Sequence, residues 1–230
     1  MGLHATLLAR GDTAATVAML DSVAERWGYG RSLLLFGAPF VRAFVDRAHA
    51  MALSDAELYG HDYRGVRFNT RLWELGLVEA VRGRTDVADA VARELEHRAS
   101  EAGSARDTRM ATSVRAHAAL ARGDTARAVL LLESLLAAPV TMAIIDWDEA
   151  EPYGLERLTL ARILTARGQH RRAIEIANVL DSSAPIIYAA FVPASLVVRA
   201  DAADAMHDSE LATRFRDRLA ALQRSAQAVQ

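Results

Sequence analysis

Glu94 and His97 lie three residues apart, a spacing that puts a carboxylate and an imidazole on one face of a helix, as carboxylate-rich metal sites in helical bundles use it. Such a centre needs the motif twice, with two further glutamates. Here Glu-x-x-His occurs once, and the other carboxylate–histidine pairs at this spacing are Asp46/His49 and Asp204/His207. The pair therefore reads as polar helix surface. A second candidate is His61-Asp62 with His49 upstream, which could share a metal only if a distant aspartate converged on them. None stands out, and the dipeptide reads as a polar turn. The third is the acidic run Asp146, Asp148, Glu149 and Glu151, whose oxygens suit a divalent cation or a basic partner. It lacks the glycine and glutamate spacing of a calcium loop and reads as a solvated loop. Trp147, at its centre, is the residue type that favours interfaces. No metal and no cofactor are expected.

Composition removes further chemistry. The chain has no cysteine, so it has no disulfide, no thiolate nucleophile and no cysteine metal site. Lysine is absent too, which excludes Schiff bases and the phosphate loop ending in Gly-Lys-Ser/Thr; all 27 basic residues are arginine, as codon usage in a GC-rich genome produces. No Gly-x-Ser-x-Gly, His-Glu-x-x-His or dinucleotide glycine pattern occurs. A formal charge of -2 gives no reason to expect nucleic acid or an anionic membrane. No apolar run approaches the ~20 residues of a membrane span, and no leader is visible, so the expected location is cytoplasmic. The 230 residues are 52% apolar and 6% aromatic, with only 5 prolines. This alanine-rich, aromatic-poor balance suits closely packed helices.

The elements that must carry any site are helix–turn–helix hairpins. Leu120-Ala121-Arg122-Gly123-Asp124-Thr125-Ala126 separates two apolar runs at helical spacing, and Leu8 to Ala14 nearly repeats the string. Glycine suits a helix C-terminus, and an Asp or Thr after it caps the next helix. From residue 70 the turns fall at Gly83, Gly123, Gly168 and, with histidine replacing glycine, His207. Seven residues before each turn stand Gly76, Ala116, Ala161 and Ala200; five after it, Ala88, Ala128, Ala173 and Ala212. Twelve after it stand Leu95, Leu135, Leu180 and Leu219. Small residues on both helices let a hairpin close, and the leucine packs toward the next one.

At these positions the chain resembles the tetratricopeptide repeat family, with Gly168, Ala161, Ala173 and Pro185 showing the whole pattern in one unit. The resemblance implies an all-α fold, an α-solenoid of stacked antiparallel helix hairpins. One helical-repeat domain is expected over 1–230: a partial first repeat at 1–27, an irregular or degenerate one at 28–69, and repeats at 70–103, 108–139, 153–185 and 191–224. Segments 138–154 and 182–193 are connections, with Ile186, Ile187, Tyr188 and Phe191 tucked against the stack. The last helix is expected over 209–222, followed by a frayed end. The half-repeat at the start points to a longer native chain, similar to C-terminal repeat regions of multidomain bacterial regulators such as Ser/Thr kinases or ATP-dependent transcriptional activators.

What the family resemblance implies about function is non-catalytic: a concave wall of first helices holding a protein or peptide partner. Its positions here are Trp73 and Leu77, Ser113 and His117, Arg162 and Thr165, and Asp201 and Asp204. The alternatives are a helical metal-dependent hydrolase, similar to the HD-type phosphohydrolases through His61-Asp62 with His49, and a homo-oligomer closed through the open first repeat.

Overall fold

The computed structural model describes residues 69–137, 153–181, 188 and 191–227, with Ala15 and Ala18. The rest of 1–68, including His49, His61 and Asp62, lies outside the described residues. So do the acidic run 146–151 with Trp147, and Ile186 and Ile187. The regular structure described is entirely helical, with no strand among the described residues. In order it comprises α1 (Asn69–Val81), α2 (Thr85–Ala102), α3 (Ala105–Ala121), α4 (Thr125–Leu136), α5 (Gly154–Ala166), α6 (His170–Asn178), a 3-10 turn (Val179–Asp181), α7 (Val192–Ala205) and α8 (Ser209–Gln227). Helices α1–α4 belong to one compact unit and α5–α8 to another.

All four expected turns are present with one backbone geometry. Gly83, Gly123, Gly168 and His207 adopt φ of 79, 79, 76 and 60°. In each turn the following residue donates its N–H five residues back: Arg84 to Glu79 O, Asp124 to Ala119 O, Gln169 to Leu164 O and Asp208 to Ala203 O, at 2.9–3.0 Å. This closes the carbonyls left open at a helix C-terminus. The next helix then starts at once, capped by Asp124 Oδ1 on Arg127 N–H and by Asp208 Oδ1 on Leu211 N–H, both at 3.0 Å. A fifth turn of this kind joins α2 to α3 at Gly103 (φ 63°), where Ser104 Oγ caps Asp107 N–H at 3.2 Å.

Within the N-terminal unit α1 packs on α2 and α3, α2 on α3, and α3 on α4; within the C-terminal unit α5 packs on α6 and α7, α6 on α7, and α7 on α8. The recurring small residues sit where these helices close. Ala116, Ala161, Ala88, Ala128, Ala173 and Ala212 are all completely buried. Gly76 is tighter still, since a Cβ there would lie 2.7 and 2.8 Å from the two methyls of Val114. Leu95, Leu135 and Leu180 are buried, and Leu219 is half-buried on the last helix. Tyr188 and Phe191 are buried as expected. The last helix runs to Gln227 instead of stopping near Leu222, because Gln223 to Gln227 contains neither glycine nor proline to end it.

Candidate partner-binding face

The first helices of the hairpins, α1, α3, α5 and α7, carry the eight candidate residues, and the two units treat them differently. In the N-terminal unit Trp73, Leu77, Ser113 and His117 are all buried. Trp73 Nε1–H donates to Ser113 Oγ at 3.0 Å, tying α1 to α3 inside the unit. His117 Nδ1 meets Ser113 O at 2.9 Å, one helical turn back. Because a carbonyl only accepts, Nδ1 is the donor, and Nε2 is buried without a hydrogen-bond partner among the described residues. Trp73 and Ser113 tie α1 to α3, while Leu77 and His117 are buried within the unit.

In the C-terminal unit Arg162, Asp201 and Asp204 are exposed, and Thr165 is half-buried with its hydroxyl donating to Ala161 O at 3.0 Å. Asp204 is bridged by both terminal nitrogens of Arg216 on α8. Among the described residues, the side chains of Arg162 and Asp201 have neither an ion-pair nor a hydrogen-bond partner. Desolvation of the Arg162 guanidinium lowers its pKa from the usual arginine value, although the residue as a whole is exposed; it remains charged at neutral pH. Arg162 and Asp201 each stand six residues before their turn residue, as do Leu77 and His117. One line of positions thus runs apolar, imidazole, cation and anion along the sequence.

Counting by the same register, the counterparts of Trp73 and Ser113, ten residues before the turn, are Leu158 and Val197. Leu158 is fully buried, whereas Val197 is 46% exposed one turn before Asp201 on α7. Val197 belongs with the candidate face and was legible from register alone. Since α5 packs on α7, the described surface of the C-terminal unit presents an unpaired cation, an unpaired anion and an exposed valine on neighbouring helices.

The metal candidates take ordinary partners where they are described. Glu94 Oε1 accepts from Arg98 Nε at 2.8 Å, and His97 Nε2 lies 3.5 Å from Glu101 Oε1 on an exposed surface. Among the described residues no group of three or more metal-ligating side chains comes together, and no helix is long and apolar enough to cross a membrane.

A second polar centre was not foreseen in the sequence. Arg199 on α7 is 1% exposed, yet each of its five N–H groups has an acceptor. Nε donates to Ser195 O at 3.2 Å, Nη1 to Asn178 Oδ1 at 2.9 Å and Asp181 Oδ2 at 2.6 Å, and Nη2 to Asp181 Oδ1 and Ser195 Oγ at 3.0 Å. The guanidinium carbon also lies 4.9 Å from the centre of the Phe215 ring on α8. Arg218 adds a second cation to Asp181 Oδ2 at 2.5 Å. With every donor satisfied this centre is structural: it joins α6, the 3-10 turn, α7 and α8.

No family model, no curated protein and no solved structure matches the chain. Its fold defines an all-α, multi-helix protein.

Proposed function

We propose that the chain is a non-catalytic interaction module of the tetratricopeptide type, an α-solenoid that holds a protein or peptide segment across its first helices. Bacterial signalling or transcriptional regulation is the setting that the family resemblance suggests. One observation carries the reading: on two first helices that pack together, Arg162 and Asp201 have no side-chain partner among the described residues, and Val197 is exposed one turn before Asp201. Opposite charges on packed helices, with an exposed valine on one of them, offer a segment two charge-assisted bonds and one apolar contact. The recurrence of one turn geometry and one set of small residues in four hairpins supports the repeat reading.

The test is selection of binding peptides from a displayed random library by the full chain, followed by affinity measurement on R162E/D201R. Peptides that engage this face lose at least about tenfold in affinity, roughly 1.4 kcal/mol. Selected peptides that bind the variant as tightly as the original rule out this face.

A further inference from the structure

Arg157, at the end of the first turn of α5, is 7% exposed, yet its side chain has no acceptor among the described residues. Its Nε is enclosed without a hydrogen-bond partner. Eleven residues before their own turns, the equivalent positions hold Leu72 and Leu196, both wholly buried, and Thr112, half-buried. The third hairpin thus sets a cation where two of its siblings set a core leucine. Arg199 shows what such burial ordinarily demands: at 1% exposure, each of its N–H groups has an acceptor. An enclosed guanidinium without one is costly.

The backbone beside it is open as well. Tyr153 stands at the N-cap in the left-handed region, with φ 52°, and its side chain gives no cap. The first helical bond runs from Arg157 N–H to Tyr153 O at 2.9 Å, and the N–H groups of Gly154 and Leu155 have no hydrogen-bond partner among the described residues. Helices α2, α6 and α7 also start without a side-chain cap. Their first three residues are exposed or half-buried, so water reaches the free N–H groups. In α5 the first three, Gly154, Leu155 and Glu156, are all buried, and a Cβ on Gly154 would stand 2.6 Å from the Phe191 ring. Glu156 is already engaged and forms no ion pair with Arg157. Long helical side chains lean back over the turn before them, which directs Arg157 to this start.

We infer that Arg157 and the start of α5 form a binding site for a phosphate group. Helix N-termini attract anions through free N–H groups and the positive end of the dipole, and a guanidinium adds a two-pronged, charge-assisted donor. The donor set selects the ligand. A carboxylate's two oxygens would be filled by the guanidinium alone, whereas a tetrahedral phosphate also has oxygens for the N–H groups of Gly154 and Leu155. The enclosure of Arg157 restricts the ligand to a free phosphate or the end of a monoester. The site uses neither Arg162 nor Asp201 nor Val197, so it stands or falls separately from the first-helix face.

The probe is inorganic phosphate, added to the full chain with sodium chloride adjusted to hold ionic strength constant; O-phosphoserine and acetate are run beside it. Calorimetric titration is expected to show saturable phosphate binding, weakened at least about tenfold in R157Q and changed less than about twofold in R162Q. Tighter binding of O-phosphoserine than of phosphate identifies a monoester as the ligand, and the reverse identifies the free ion. R157L, which carries the leucine of the sibling hairpins, guards against misfolding. It should melt no lower than wild type without phosphate, while only wild type gains at least about 2 °C at about ten times its Kd. The proposal is overturned by absence of saturable binding, by acetate binding as tightly as phosphate, or by equal loss in R162Q. It is overturned too if R157L melts well below wild type in phosphate-free buffer, since the guanidinium would then have an acceptor within the chain.

Discussion

Arg199 and Asp181 form a two-pronged ion pair that repeats, in the C-terminal unit, the pair formed by Arg115 and Glu96 in the N-terminal unit. Both arginines stand eight residues before their own turn residue, and both acids stand thirteen after the preceding one. Arg115 reaches Glu96 through Nε and Nη2, each at 2.6 Å. In both units the pair links a second helix, or the turn just after it, to the first helix of the next hairpin. It fixes the two elements by geometry as well as by charge.

Loss of Asp181 strands a buried guanidinium, so Asp181→Ala costs about 2–4 kcal/mol, somewhat below a fully buried pair because the carboxylate is partly exposed. The pH dependence follows. Burial pushes the Asp181 carboxyl up, but hydrogen bonds and charge from Arg199 and Arg218 outweigh it and hold the pKa below the ordinary aspartate value. A carboxyl depressed in the folded state contributes its full stability above its unfolded pKa of about 3.9, and loses it as pH falls toward the folded value. Urea unfolding of wild type and Asp181→Asn should differ by a constant amount from pH 7 to about pH 5. That difference should shrink below about pH 4.

His207 holds the left-handed conformation that glycine holds in its three siblings. A side chain there costs about 1–2 kcal/mol, and glycine returns part of this as extra freedom in the unfolded chain. His207→Gly is expected to stabilise the protein by roughly 0.5–1 kcal/mol. Gly123→Ala, at the equivalent turn, should destabilise it by about 1 kcal/mol. Thermal melting of the two variants checks both signs.

The turns were legible because each is a local event: a glycine, or one histidine in its place, ends one apolar run just before another begins. The fifth turn falls at the boundary between the repeats expected at 70–103 and 108–139; its left-handed Gly103 and Ser104 cap lie outside the register of the other four, which counts only turns within hairpins. Arg199 escaped for a different reason. A helical pattern assigns arginine to the surface, and only the shared spacing of Arg115/Glu96 and Arg199/Asp181 reveals a buried partner. The candidate face was legible as a line of positions but not as a surface. Leu77, His117, Arg162 and Asp201 have equivalent places in their hairpins, yet tertiary packing buries the first two and exposes the others.

Gly76 is the one glycine in the series of small residues at the middle of the first helices, and Val114 explains it. An alanine Cβ would press on both valine methyls and lie 3.1 Å from Val91 Cγ1. Gly76→Ala gains helix propensity but overpacks the junction of α1, α2 and α3, for a net loss of about 1–3 kcal/mol. Because the crowding is mostly at one side chain, Gly76→Ala combined with Val114→Ala should cost less than the sum of the single changes. A four-member cycle measured by urea unfolding reads that coupling, and strict additivity would place the strain elsewhere.

The two equivalent ion pairs differ in burial and should therefore differ in strength. Arg115 and Glu96 have side chains 32% and 43% exposed, against 1% and 23% for Arg199 and Asp181. The hydrogen bond to Glu96 raises the Arg115 pKa against desolvation, so the arginine stays charged, but water screens the pair. A double-mutant cycle should give about 0.3–1 kcal/mol for Arg115–Glu96. It should give at least about 2 kcal/mol for Arg199–Asp181, where removing the acid leaves a cation with no water to turn to. Raising the salt concentration should erode the first coupling and leave most of the second. Equal couplings would mean that the five-bond arrangement around Arg199 adds orientation without adding stability.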